Sequence, residues 1–330
     1  MLKWYGLNAR ELPWRSTKNP YLIWICEIVL QQTRVEQGKN HYLNFVQRFP
    51  DVKSLVEANI DEVLLYWKGL GYYSRAINLH TAAKQVMTDF GGDFPKHFDE
   101  ILKLKGVGKY TAAAVASICF DEKIPAIDGN FYRVLSRIFA DDYDVSSSKA
   151  YQYFYNLAMM IMPEENSGDF NQAIMDIGSE VCKPKNPNCE TCPVQENCLA
   201  FGFGKVQKFP VKSKKVKPQD LKLKYYHILY KEYFLIKQRD DSFIWKKLYD
   251  FPEEIPDEFE PFITEEKTIN HKLTHKNLEI SITKVSIDDK AVFEEFAREN
   301  QFIITDFEKS HQKSFPKPLE NFLKKEFEGF

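Results

Sequence analysis

A chain of 330 residues is more comfortably two domains than one, and its 45 basic against 47 acidic side chains leave a formal net charge of −2. That balance excludes a protein that grips nucleic acid by bulk charge, so any such contact must come from local patches. No apolar run reaches the length of a membrane span, and the start, Met1 to Tyr5, lacks the apolar core of a signal peptide. A soluble, cytoplasmic protein is expected.

Residues 1–204 read as helical. Asn19-Pro20 predicts a helix start, with Asn as N-cap and Pro in the first turn, and the run Tyr21 to Gln32 continues without a breaker. Further helices are expected over 61–67, 74–90, 99–104, 109–120, 130–139 and 149–162, with Gly and Pro falling between them. Four cysteines follow, Cys182, Cys189, Cys192 and Cys198, spaced C-x6-C-x2-C-x5-C on a loop punctuated by Pro184, Pro187 and Pro193. Zinc favours two tight C-x2-C knuckles, and only Cys189 and Cys192 make one. The wide outer spacings suit a cubane [4Fe–4S] cluster, with zinc or an unliganded group of thiols as the alternatives. Cys26 and Cys119 lie in apolar runs and read as core residues. Residues 205–222 read as a basic linker, with six lysines and two prolines between Lys205 and Asp220. From residue 223 to 330 the texture turns strand-like, as in Tyr225 to Tyr230 and Tyr233 to Lys237.

Three features carry chemistry. Leu104-Lys105-Gly106-Val107-Gly108-Lys109 joins two helices through a G-x-G turn. Such a turn lets the backbone approach a ligand closely and leaves the second helix offering free N–H groups to a phosphate; an ordinary Gly-capped hairpin is the alternative. Asp128 is placed to N-cap the helix after it, which would also hold a carboxylate ionised and rigid. Glu27 stands among Trp24, Ile25, Cys26, Ile28, Val29 and Leu30. It is either the exposed stripe of a helix or a buried acid whose raised pKa makes it a proton donor. A protonating and a charge-stabilising carboxyl are the pair needed at a glycosidic bond.

The segments Glu27-Ile28-Val29-Leu30-Gln31-Gln32-Thr33, Gly69-Leu70-Gly71-Tyr72-Tyr73-Ser74-Arg75, the hairpin, Asp128-Gly129-Asn130 and the cysteine loop occur in this order. Together they resemble the helix-hairpin-helix DNA glycosylases with an iron–sulfur loop, and within them the adenine DNA glycosylases of the MutY family. The resemblance implies a multi-domain protein. An all-α helix-hairpin-helix glycosylase domain with a [4Fe–4S] loop is followed by an α+β Nudix-like domain. It implies a monomer that binds double-stranded DNA carrying adenine opposite 8-oxoguanine or guanine.

Carried over position by position, Glu27 would protonate adenine and later handle water, and Asp128 would stabilise the sugar cation by charge or by a covalent bond. Tyr110 and Asn130 would support them. Tyr110 stands where the related endonuclease III carries a strand-cleaving Lys, and a phenol forms no Schiff base. Trp14 and Arg15 match residues around the extruded adenine. Gln32, with Thr33 beside it, and Tyr72 match side chains that wedge into the duplex. Gly106, Gly108 and Lys109 would hold the backbone phosphates. Trp245 to Pro252 matches a stretch of the second domain, and Leu273-Thr274-His275 aligns with a loop that reads 8-oxoguanine, usually Phe-Ser-His. No nucleotide-hydrolysing metal motif is present in the second domain, so nucleotide hydrolysis is not expected. Two rivals remain, an endonuclease III-like glycosylase and lyase, and a non-catalytic iron–sulfur damage binder.

Overall fold

The computed structural model describes residues 1–213, 218–240 and 244–327. The chain forms two compact units. One comprises Met1–Ala58 and Asn78–Lys214, and the other Asn59–Ile77 and Lys215–Phe330.

In chain order the helices are α1 (Leu2–Asn8), α2 (Pro20–Val29), α3 (Val35–Arg48), α4 (Val52–Glu57), α5 (Ile60–Trp67) and α6 (Ser74–Phe90). Then come α7 (Phe98–Ile101), α8 (Lys109–Phe120), α9 (Gly129–Ile138), α10 (Ala150–Met159), α11 (Ser167–Asp176) and α12 (Leu199–Gly202). The helix starting at Pro20 is capped by Asn19, whose side chain accepts from the N–H groups of Tyr21 and Leu22. It ends at Val29, earlier than the apolar run alone predicts, because Gln32 turns left-handed at φ 55° and Thr33 N–H closes on the Leu30 carbonyl.

The chain then reverses into α3, a helix that the sequence reading passes over. Its Gly38, and Gly168 in the equally unpredicted α11, act as close-packing points. A Cβ on Gly38 would come within 2.5 Å of Leu30, and one on Gly168 within 2.8 Å of the α8 backbone. Both glycines look like breakers in sequence and are contact residues in space. The core around α9 to α11 gathers Phe131, Val134, Leu135, Phe154, Phe170 and Ile174. Cys26 is fully buried, as expected of a core residue, whereas Cys119 is only half-buried.

The second unit carries a mixed six-stranded sheet. Its strands are β1 (Gln219–Tyr230), β2 (Tyr233–Gln238), β3 (Tyr249–Asp250), β4 (Ile263–Lys272), β5 (Lys276–Ser286) and β6 (Ile303–Thr305), in the order β3-β2-β1-β5-β4 with β6 on β2. β1 starts inside the stretch read as linker. β1 and β5 run parallel from Gln219 opposite Lys276 to Leu229 opposite Ser286, and the other pairs are antiparallel. Alternation along β1 sends Tyr225 and Leu229 to one face, packed on Leu319, Phe322 and Leu323 of α15 (Lys317–Phe327). Tyr226 and Ile228 go to the other face, against Phe293 and Ala297 of α13 (Lys290–Glu299). Between them in the chain comes α14 (Phe307–Ser310), whose Phe307 packs on the α15 side.

Candidate active site and cysteine centre

α2 is apolar almost all round, which drives it into the core beside α8 and takes Glu27 with it. The Glu27 side chain is buried, so the exposed-stripe alternative is excluded. Burial pushes its carboxyl up to about 7; a hydrogen bond from Tyr110 and the Arg15 charge pull it down, and Asp128 pushes it up. Tyr110 comes from the first turn of α8 and is itself held far above the usual phenol range, by burial first and by the two carboxylates next.

Asp128 is the N-cap of α9. One oxygen accepts from Asn130 N–H and Phe131 N–H, both at 2.9 Å, and the other accepts from the Asn130 side chain at 2.7 Å. Burial raises its pKa, and these donors, with the Arg133 charge, oppose the rise. The Arg133 guanidinium donates to Asn130 Oδ1 at 2.7 Å, leaving the amide no choice but to point its NH2 at Asp128. Its Nε donates to the Cys182 carbonyl at 2.7 Å. The arrangement pairs a carboxyl that is easily kept protonated with one surrounded by donors that favour the anion.

One open cavity of about 570 Å³ collects Trp14, Arg15, Glu27, Gln32, Thr33, Tyr110, Asp128 and Asn130, within the size range of small-molecule sites. Trp14 is buried edge-on against Tyr42. Arg15 is committed to Asp176 at 3.0 Å and to the Tyr5 hydroxyl. Sequence reasoning misses Asp176, a fully buried carboxylate that ties Arg10 and Arg15 to the end of α11. It also misses Arg133, and Gln31, whose amide donates to Thr111 at 3.3 Å.

Gly106, Gly108 and Lys109 lie away from that cavity, at the hairpin. Gly106 sits at φ 76° with Asn78 so close that a Cβ would come within 2.5 Å. Gly108 is the N-cap of α8 and has no side chain to occupy the first N–H groups. Lys109 Nζ lies 4.3 Å from the Tyr151 ring centroid. In the second unit, Tyr72, Leu273 and Thr274 share another cavity, and the Tyr72 hydroxyl is hydrogen-bonded to Thr274. His275 does not line it; its carbonyl accepts from Gln219 N–H at 3.0 Å.

Cys182, Cys189, Cys192 and Cys198 line one apolar cavity with Val134, Ile138, Ile177 and Val181. Among the described residues no three His, Cys, Asp or Glu side chains close on a site the size of a single ion. Four thiols spread around a common cavity fit a cluster, which is larger than one metal atom. Arg137, buried on α9, donates to Cys182 Sγ at 3.2 Å and to the carbonyls of Cys182, Lys183, Pro184, Val206 and Phe209. Its charge faces no carboxylate in any of these contacts, and thiolates bound to iron would supply the counter-charge.

Comparison with known proteins agrees. Residues 25–158 match the HhH-GPD superfamily of base excision DNA repair proteins, and residues 182–198 match the iron-sulfur binding domain of endonuclease III. An adenine DNA glycosylase of Buchnera aphidicola (subsp. Schizaphis graminum) is 34% identical over 98% of this chain and 96% of its own length. The human adenine DNA glycosylase is 39% identical over 61% of this chain and 38% of its own. Among solved structures, a thermostable thymine-DNA glycosylase superposes with a TM-score of 0.57 at 32% identity, over 61% of this chain and 93% of that one. A non-covalent endonuclease III–DNA complex superposes at 0.53 and 22% identity, over 61% of this chain and 92% of that one, a likeness of fold. The cysteine loop therefore holds a [4Fe–4S] cluster, and the helical unit has the helix-hairpin-helix glycosylase fold. With near-complete coverage by such relatives, this chain belongs to the adenine DNA glycosylase family, enzymes of base excision repair.

Proposed function

We propose that the enzyme removes adenine lying opposite 8-oxoguanine, or opposite guanine, and leaves the strand uncut. The observation that carries this is the buried Glu27 in one cavity with Tyr110 and the capped Asp128. In this reading adenine swings out of the duplex into that cavity beside Trp14 and Arg15, while Gln32 and Tyr72 fill the space it leaves. Glu27, protonated near neutral pH, gives its proton to the base as the glycosidic bond breaks. Asp128, flanked by donors and set at a helix N-terminus, then faces the cationic sugar. Glu27, now a carboxylate, draws a proton from water as water adds to the sugar. Tyr110 stands beside Glu27 in the same cavity, and no amine stands at its position to form a Schiff base.

The helical part, 1–204, carries this chemistry and the iron–sulfur loop; 205–222 is the connecting linker. Gly106, Gly108 and Lys109 take the backbone phosphates at the α8 N-terminus. When bound, the cluster crosslinks residues 182–198 into a fixed loop. The region 223–330 is Nudix-like, a mixed sheet with a helix on each face, and reads the opposite base through Leu273, Thr274 and His275. Relative to guanine, the lesion adds an 8-oxo acceptor and an N7–H donor, and the Thr274 hydroxyl can serve either. The working form is a monomer in the compartment that holds its DNA.

The test is single-turnover release of adenine from three duplexes, with A opposite 8-oxoguanine, guanine or thymine. Release should be fastest on the first, slower on the second and negligible on the third. Equal rates on the first two would remove the lesion from the reading.

A further inference from the structure

Residues 59–77 leave the helical part of the sequence and pack with the sheet. Three of their side chains, spaced along the segment, each hold a different element there. At the start, Asp61 on α5 accepts from the Tyr249 hydroxyl of β3 at 2.8 Å and from the Gln238 amide of β2 at 2.9 Å. Lys313 sits 3.7 Å from the same carboxylate and donates to the Tyr249 oxygen at 3.2 Å. In the middle, Lys68 pairs with Glu320 of α15 at 3.2 Å, a pair largely sheltered from water. At the end, the Tyr72 hydroxyl meets Thr274 on the turn between β4 and β5. The 70–74 turn and residues 271–274 face each other across a cavity of about 500 Å³.

From these contacts we infer that Asp61 is a positioning residue for lesion discrimination: with Lys68 it mounts the Tyr72 turn on the sheet, so that Tyr72 and the 273–275 turn meet the strand opposite the adenine as one rigid piece. The inference rests on the proposed reading of 8-oxoguanine by Thr274 and His275. Three separated anchors fix a segment against both sliding and rotation, which a single contact cannot do. Asp61 and Tyr249 form the anchor farthest from Tyr72. They do not line the cavity of Tyr72, so their influence on what Tyr72 and Thr274 read is mechanical. Asp61 is also a third exposed and takes three polar or ionic contacts, from two strands and one lysine, which makes it removable without opening a core.

The test uses the full, iron-loaded chain with Asp61→Ala and, separately, Tyr249→Phe, which deletes one hydroxyl and keeps the ring in its packing. Two quantities are read. One is the ratio of single-turnover rates on A opposite 8-oxoguanine and A opposite guanine. The other is the fluorescence change on binding of a duplex carrying 2-aminopurine beside the lesion, which reports unstacking by a wedged side chain. Thermal melts confirm folding, and Tyr249→Phe stands alone if Asp61→Ala does not fold. Both variants should lower the rate ratio by about fivefold, the effect of one hydrogen bond of ordinary strength, and should blunt the fluorescence change. The rate on A opposite guanine should stay near that of the parent. A Thr274→Val, His275→Ala double variant is measured alongside. If it lowers the ratio while Asp61→Ala and Tyr249→Phe do not, the mount is overturned and the reading of the lesion stands. If none of the three changes the ratio, both are overturned.

Discussion

The raised pKa of Glu27 follows from where its helix is buried. With its carboxyl pushed up to about 7, the acid form persists at neutral pH and is lost above it. Adenine release should therefore fall by about tenfold per pH unit above the Glu27 pKa, as for a single required proton. Glu27→Gln should bind the mismatched duplex and release no adenine in single-turnover assays, since the amide keeps the shape and lacks the proton. The same shift has a stability signature. A carboxyl whose folded pKa is raised above its ordinary value of 4.5 contributes its full stabilisation below that pH, and the contribution is lost as pH rises through about 7. At pH 8 the buried anion then costs on the order of 3 kcal/mol. Glu27→Gln removes this slope, so its melting temperature relative to the parent should climb between pH 5 and pH 8. A gap that stays constant over that range would mean that Glu27 is not held in a raised state. The sequence shows a Glu amid apolar residues, but whether that Glu is inside or outside depends on what packs over α2, and α3 and α8 are remote in sequence. Arg133 and Asp176 were invisible for a related reason: their partners lie 49 and 166 residues away, as with Arg133 on Cys182 and Asp176 on Arg10.

At the scale of elements, the helices with clear start signals were legible. The spans 74–90 and 109–120 match α6 and α8 end for end, and Asn19 and Asp128 cap as their types suggest. α3 and α11 were not, because Gly38 and Gly168 read as breakers and the reason they are glycine, close contact with a neighbour, is tertiary. The start of α8 makes a prediction of its own. Lys109→Gln should weaken binding uniformly across sequences and lower the slope of log affinity against log salt by about 1, as for one lost phosphate contact. An unchanged slope would place the phosphates elsewhere. The cysteine loop makes another. Arg137 ties the loop, α9 and the 206–209 segment together through five carbonyls and one sulfur. Arg137→Gln should leave many of these acceptors unpaired, lower the iron content well below four per chain and reduce the melting temperature. Full iron and an unchanged melt would show the loop to be held by its cysteines alone. The four cysteines were legible as a centre from spacing; the arginine that closes it was not, since an Arg on a helix reads as surface.

Over the whole molecule, the residues proposed for catalysis and for lesion reading fall on separate units, with Glu27 and Asp128 in one and Tyr72 and Thr274 in the other. Thr274→Val with His275→Ala should accordingly reduce the preference for 8-oxoguanine over guanine and spare the chemical step on A opposite guanine. Discrimination of roughly 1–3 kcal/mol per lost hydrogen bond sets the scale. The placement of 59–77 with the sheet was not legible, because the sequence runs helical without a break in texture from α4 to α6 and the partners of Asp61 stand almost two hundred residues on. The most direct measurement counts free adenine and strand breaks in the same reaction, with the iron-loaded chain in excess over a duplex bearing A opposite 8-oxoguanine and no alkali or heat applied. The account predicts adenine released to completion with the strand intact, and breaks only after alkali. Strand breaks that keep pace with adenine, or no adenine at all, would contradict it.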